Sequence, residues 1–302
     1  MDLFHDLANI FNNKMLAAGI TVPTTLDDSK VVSFFLELKQ RWINQSLPYM
    51  VVYSRELRMK YCYLPEEEQH AIKTIEECFA ECKPLAPYLS KLISETDVGK
   101  SDFLLKNWGI NHVHLEERTI THWRFTNPNL LLFIIKGKVV HFIDVVKHPT
   151  GAEWFNREWI EIINSNWPWL LSPIGGMIPT QRIPDNQRHK LSKRIVAALD
   201  FHGESIMPSN FGVTLSGNSV KATLQTQRIK NELQRMEKQI QKRDAEIKKE
   251  IKDKTGIEIS TTSFSLQIKE GRIYANEETT DYNILLFPKD SWLADAIAWE
   301  IQ

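Results

Sequence analysis

The chain has 302 residues, of which 42% are hydrophobic and 25% are charged, and its formal net charge is −1. This composition is typical of soluble globular proteins, and the length suffices for one large domain or two of medium size. A net charge so close to zero excludes a protein that is strongly basic throughout, so any contact with nucleic acid would come from a local patch. The longest apolar runs fall short of the roughly 18 residues that cross a membrane.

The cysteines and the N-terminus indicate the compartment. Cys62, Cys78 and Cys82 are few, odd in number and without CxxC spacing, a pattern typical of reduced thiols rather than of a disulfide framework. The first residues, MDLFHDLANIF, carry acids where a secretory signal carries lysine or arginine. We therefore expect a cytoplasmic protein with no membrane partner.

Residues 1–95 are predicted to form a helical lead-in. Apolar residues recur at helical spacing near the N-terminus and again after Asp27-Asp28-Ser29, which is a typical helix start. A third helix is predicted from Pro65 to Cys82, since proline and three glutamates stand where the helix dipole is positive.

Residues 96–172 are predicted to form a central sheet domain, because from about residue 108 the apolar period changes to two. The runs 130–136 and 138–146, joined by Lys136-Gly137-Lys138, predict a hairpin. Regular alternation in the second run would place Phe142, Asp144 and His148 on one face and His141 with Ile143 on the other. An amphipathic helix over 152–171, ending near Pro168, is expected to cover the sheet.

Residues 173–302 form the third predicted region. A Pro/Gly-rich break at 172–184 and a short helix at about 187–200 precede a long, net-basic helix at 219–254, and strands follow at 259–269 and 272–275. The predicted fold class is therefore α+β: an N-terminal helical layer, a small antiparallel sheet with a covering helix, and a C-terminal α/β region with one long charged helix. That helix is a solvated arm, a contact between identical subunits in a homo-oligomer, or a surface for nucleic acid or another partner.

The richest concentration of titratable side chains lies between Asp102 and His148. It holds five of the nine histidines and two arginines: His112, His114, His122, His141, His148, Arg118 and Arg124. His112 and His114 leave the same face of a strand roughly 7 Å apart, a spacing that suits a phosphate or a metal ion. A metal would need a third ligand such as His148, Asp144 or Glu117. The plainer alternative is one structural histidine and one that is merely exposed.

The cations of this segment suit an anionic substrate. Guanidinium groups match phosphate oxygens, and Arg118 and Arg124 flank His122. His148 follows an apolar strand, and the usual histidine pKa of about 6.5 suits a general acid or base. Lys136 and Lys138 are turn residues rather than catalysts, and with Arg118 and His122 they complete the candidate substrate-binding set. Signatures such as GxSxG, GxxxxGK[ST], GxGxxG and HExxH are absent from the sequence, so no cofactor is expected.

The segment from Trp108 to His148 resembles the core of RelE-like ribonucleases of the barnase–EndoU–colicin type. The shared pattern is a helical lead-in, a strand, an arginine (Arg124) ahead of a strand-turn-strand, and a closing histidine (His148). The motif WGINHVHL at 108–115 and the later Asn166-Trp167-Pro168 also resemble a bacterial and phage-related group of uncharacterised proteins that carry a WGIxHxHL-like motif.

The resemblance implies an endoribonuclease of toxin or anti-phage defence type that needs no metal. His114 or His112 would be the base, Arg124 with Arg118 would hold the phosphate, and His148 would be the acid. The chain is larger than RelE-type toxins and lacks their strongly basic surface, which favours a nuclease controlled by an antitoxin or another regulatory partner. Two alternatives stay open: a non-catalytic adaptor that assembles through the charged helix, and a metal-dependent phosphoesterase built on His112 and His114.

Overall fold

The computed structural model describes residues 1–41, 47–90, 102–118, 125–173, 187, 199–201, 204–214 and 218–297. The chain divides into two compact units. We call Gln40–Lys221 the central unit, and Met1–Lys39 together with Ala222–Gln302 the terminal unit. The three consecutive regions named from the sequence do not coincide with these units. The reason is that the first helix contacts a C-terminal strand, where the Leu266 N–H donates a hydrogen bond of 2.9 Å to the Asp6 carboxylate.

The described residues contain nine α-helices, and the first two begin after an aspartate whose side chain accepts an N–H of the first turn. Asp2 accepts a hydrogen bond from the His5 N–H, and Asp27 accepts one from the Lys30 N–H. Their bounds are α1 (Leu3–Ala17), α2 (Asp28–Arg41), α3 (Arg55–Tyr61), α4 (Glu66–Ala80), α5 (Phe103–Trp108), α6 (Glu158–Asn166), α7 (Val220–Lys242), α8 (Asp244–Thr255) and α9 (Trp292–Ile297). None of these helices is both long and apolar enough to cross a membrane.

The strands form three sheets, which confirms the α+β class. Their bounds are β1 (Met50–Tyr53), β2 (Asn111–His114), β3 (Asn129–Lys136), β4 (Val139–Lys147), β5 (Ser172–Pro173), β6 (Leu199–Phe201), β7 (Glu204–Met207), β8 (Phe264–Lys269), β9 (Arg272–Glu277) and β10 (Asn283–Phe287). The sheet orders are β1-β4-β3-β2, β5-β7-β6 and β10-β9-β8. The first of these, the main sheet, carries the candidate site.

The prediction that residues 1–95 are helical is wrong at Met50–Tyr53. This short run of valine and tyrosine is the edge strand β1, which pairs in parallel with β4, so the main sheet is mixed rather than purely antiparallel. Four residues are too few to show a period of their own, and the pairing with β4 decides their conformation. Ser54 then ends the strand and caps α3, because its hydroxyl donates to the Ile143 carbonyl at 2.6 Å and accepts from the Leu57 N–H.

A β-bulge in β4 corrects the predicted faces of that strand. Leu132 is opposite Asp144 while Phe133 is opposite Phe142, so Ile143 is an extra residue. Phe142 packs on the side of α3 and α4, and Ile143 packs on the side of α6, as the prediction has them. The bulge shifts the alternation by one residue, so Asp144 faces the same side as Leu132 and Ile143, and the prediction that it shares a face with Phe142 is wrong.

Both faces of the main sheet are covered. One face packs against α3 and α4 through an aromatic core that includes Phe79, Phe133 and Phe142, and the other packs against α5 and α6.

The prediction of one continuous covering helix over 152–171 is wrong. This segment is divided into a 3-10 turn (Gly151–Phe155), α6 and a second 3-10 turn (Pro168–Leu170). Asn156 ends the first turn, and its side chain accepts the Glu158 N–H at the start of α6; proline stands where the second turn begins.

The terminal unit corrects the predicted long helix. Residues 219–254 form two helices, α7 and α8, with a break at Arg243. Their buried apolar side chains include Ile229, Leu233, Ile247 and Ile251, while Leu224 is exposed. The strands predicted at 259–269 and 272–275 correspond to β8 and β9, which are joined by a turn at Glu270-Gly271, where both residues have a positive φ. Most of the predicted linker and of the short helix at 187–200 lies outside the described residues, and Leu199 and Asp200 belong to β6.

Candidate functional site

The candidate site lies where β2, the edge strand of the main sheet, adjoins the first residues of β3. In β2, His112 is opposite Leu132 and His114 is opposite Leu130, so both imidazoles face the α6 side. His148 follows β4 directly, and its N–H donates a hydrogen bond of 2.6 Å to the Pro128 carbonyl. The predicted convergence of histidines from separate β-segments is therefore present. We call His112, His114 and His148 the histidine cluster.

His112 is the member with a carboxylate partner. Its Nδ1 lies 3.4 Å from Oδ2 of Asp102, a charge contact without a hydrogen bond, and its side chain is 15% exposed. Burial lowers the pKa of His112, the negative charge of Asp102 opposes that shift, and His148 adds slightly to it. The net pKa is lowered, so the ring is neutral at pH 7 and one ring nitrogen carries a lone pair.

Asp102 reaches His112 because it also caps α5. Its Oδ1 accepts the Leu105 N–H at 3.0 Å, which fixes the carboxylate at the helix start. The helix ends at Gly109, whose left-handed backbone turns the chain directly into β2. Sequence reasoning did not give Asp102 a role, although an aspartate just before FLLKNW is a recognisable cap.

His114 is held as a neutral ring in aromatic packing. It is buried, and it stacks on Phe125 with ring centroids 3.6 Å apart and an interplanar angle of 11°. Burial lowers its pKa to about 3, with smaller contributions in the same direction from His112, His148 and Arg118 and an opposing one from Glu116. Among the described residues its Nδ1 has no hydrogen-bond partner. His114 is thus a poor proton carrier near neutral pH.

His148 is exposed and sits beside the other two rings. Its centroid lies 6.0 Å from that of His114, and its Nδ1 lies 3.1 Å from the Pro149 carbonyl. The Trp154 indole joins the cluster, with its ring 5.3 Å from His112 and 5.4 Å from His148. Trp154 and Phe125 were not predicted as part of the site, since their roles depend on tertiary contacts that the sequence pattern does not express.

The other predicted site residues are distributed as follows. Arg118 lies close enough to lower the pKa of His114. His122 and Arg124 lie outside the described residues. Lys136 and Lys138 flank the far end of the β3–β4 hairpin, roughly 25 Å of strand from Asn129, so they do not join the histidine cluster.

His141 and Asp144 contact residues outside the histidine cluster. His141 is a separate buried residue that packs edge-on against Trp167 at 4.9 Å. Asp144 forms an ion pair of 3.1 Å with Lys60. Within the described ranges, no group of three or more histidine, cysteine, aspartate or glutamate side chains is arranged to hold a metal ion.

Comparison of the chain with models of protein families, with curated proteins and with solved structures found no match.

Replacing Asp102 with asparagine is expected to lower the pKa of His112 further. The change keeps an oxygen that can cap α5 but removes the negative charge that favours the imidazolium form. An NMR titration of the histidine ring protons measures the shift. Glu117→Gln, which removes an exposed carboxylate from the segment after β2, is the matched control and should leave the His112 titration unchanged. An unaltered His112 titration in Asp102→Asn would contradict the pairing.

Proposed function

We propose that this chain is an endoribonuclease that cleaves RNA by histidine acid–base chemistry without a metal ion. The observation that supports the proposal is the histidine cluster, in which a neutral ring next to a carboxylate and an exposed ring contact the same indole. Two imidazoles on either side of a phosphodiester suffice for RNA cleavage, because the 2′-hydroxyl of RNA supplies the nucleophile.

His112 is the proposed base. Asp102 faces Nδ1 of His112, which favours a proton on that nitrogen and leaves the Nε2 lone pair to accept a proton. In the proposed step Nε2 takes the proton of the 2′-hydroxyl, and the 2′-oxygen forms a bond to phosphorus. His112 is a better base than His114, whose pKa of about 3 gives it little affinity for a proton.

His148 is the proposed acid, because its ring is exposed and an imidazolium is stable in contact with water. As the bond from phosphorus to the 5′-oxygen breaks, the electron pair stays on that oxygen, which takes a proton from His148. The products are a 2′,3′-cyclic phosphate and a free 5′-hydroxyl. The neutral ring of His114 lies beside His148 without adding a repelling positive charge.

Arg118 is the proposed phosphate contact among the described residues. Its charge acts on His114, so it is near enough for its guanidinium to stabilise the negative charge that develops on the phosphate oxygens. Arg124 keeps the role that the resemblance implies. The proposed location is a reducing cytoplasm, in keeping with the free thiols of Cys62, Cys78 and Cys82.

The proposal is tested by incubating micromolar purified protein with a structured RNA in the presence of EDTA. We expect fragments that end in 2′,3′-cyclic phosphate, identified by mass spectrometry. The same RNA with 2′-O-methyl groups throughout should stay intact, because it lacks the nucleophile. Intact RNA under all conditions would favour the adaptor alternative, and cleavage that stops on addition of EDTA would favour the metal-dependent phosphoesterase.

A further inference from the structure

A second candidate site lies at the opposite edge of the main sheet. A cleft of about 330 Å³ is lined by Tyr53 of β1, by Arg58 and Tyr61 of α3, and by Lys73 and Glu76 of α4. Strand β1 is separated from β2 by β4 and β3, roughly 14 Å across the sheet. The cleft is therefore distinct from the histidine cluster, and the proposed cleavage reaction does not use it.

The carboxylate of Glu76 in this cleft accepts hydrogen bonds at one of its two oxygens. The Tyr53 hydroxyl and the Lys73 ammonium both donate to Oε2 of Glu76, at 3.0 and 2.9 Å. In the part of the chain that the structure describes, no donor reaches Oε1 of Glu76. Its position is thus held by two partners while one oxygen remains available to an N–H donor from a ligand.

The cleft also offers a cation and two aromatic walls. Arg58 is exposed, and it forms no ion pair with any described residue, so its guanidinium is available for an anion. The ring of Tyr53 is held by an edge contact with Phe142, and that of Tyr61 by the hydrogen bond from its hydroxyl to the Gln69 carbonyl. The two rings are perpendicular, with centroids 6.5 Å apart, so they form a corner rather than a closed stack.

These features together describe a small ligand with three parts: an anionic group for Arg58, a planar ring for the tyrosine corner, and an N–H donor for Glu76. We propose that the cleft binds a nucleoside monophosphate whose base carries an exocyclic amine. The volume is at the lower end of the usual range for small-molecule sites, which suits a mononucleotide better than a dinucleotide.

Calorimetric titration with cytidine 5′-monophosphate and uridine 5′-monophosphate tests the proposal. The two differ at position 4 of the ring, where cytosine donates and uracil accepts a hydrogen bond, so the cytidine nucleotide should bind about tenfold more tightly or better. The measurements are made in His148→Ala, so that nucleotide binding at the proposed catalytic site does not dominate the measured heat. They do not depend on whether the chain cleaves RNA.

Matched arginine variants locate the binding. Arg58→Ala should weaken binding of cytidine monophosphate about tenfold or more. Arg55→Ala, on the same helix but paired with Glu56, should leave it unchanged. Glu76→Gln should reduce the preference for cytidine over uridine. No binding of either nucleotide at millimolar concentration, equal binding of inorganic phosphate, or equal effects of the two arginine variants would overturn the proposal.

Discussion

His148→Ala is expected to lower the rate of RNA cleavage by about 100- to 10,000-fold, the usual contribution of a general acid. The free energy of unfolding should change by less than about 1 kcal/mol, because the side chain is exposed and its described hydrogen-bonding contact is with the neighbouring Pro149 carbonyl. Cleavage is followed with a fluorescent RNA substrate, and stability is followed by urea denaturation of the same preparations.

His70→Ala is the matched control for this prediction. His70 is also an exposed histidine, but it lies on α4, on the other side of the main sheet from the histidine cluster. Its replacement should leave the cleavage rate within about twofold of the native protein. If both variants cleave RNA at the native rate, His148 is not the acid or the activity belongs to a contaminant. If both lose activity equally, the loss reflects a global change in the protein rather than the removal of the acid.

The position of the histidine cluster could be predicted because it depends on short-range rules. The period of two in INHVHL fixes that His112 and His114 share a face, and the Lys136-Gly137-Lys138 turn fixes β3 against β4. His148 then necessarily follows β4 at the end where β2 pairs with β3. The predicted helix starts at Asp27 and Pro65 are confirmed for the same reason, since each concerns a single turn of chain.

The features that the sequence did not predict correctly depend on contacts between residues that are distant in the chain. The bulge at Ile143 places Asp144 on the opposite side of the sheet from Phe142, and it is set by how β4 packs between two covered faces rather than by its own alternation. Asp102 reaches His112 only because α5 turns sharply at Gly109. The sequence pattern of Met50–Tyr53 could not predict β1, because a run of four residues is too short to show a period. Its strand conformation depends on pairing with β4.

The buried histidines are expected to make the central unit sensitive to mild acid. In the unfolded chain His114 takes a proton below a pH of about 6.5, whereas in the folded protein its pKa is lowered to about 3. The unfolded state therefore binds more protons between these values, and the free energy of unfolding falls as the pH falls through that window. His114 alone should cost roughly 2 kcal/mol between pH 7 and pH 5. Burial lowers the pKa of His112 and His141 as well, so both act in the same direction.

His114→Phe isolates this effect, because phenylalanine keeps a planar ring against Phe125 and cannot take a proton. Urea denaturation followed by tryptophan fluorescence at pH 7 and pH 5 should show a loss of stability about 2 kcal/mol smaller in His114→Phe than in the native protein. His70→Phe, an exposed counterpart, should retain the native loss. Equal losses in the native protein and in His114→Phe would mean that His114 is protonated in the folded state. In that case the stacking of His114 on Phe125 would not hold its ring neutral.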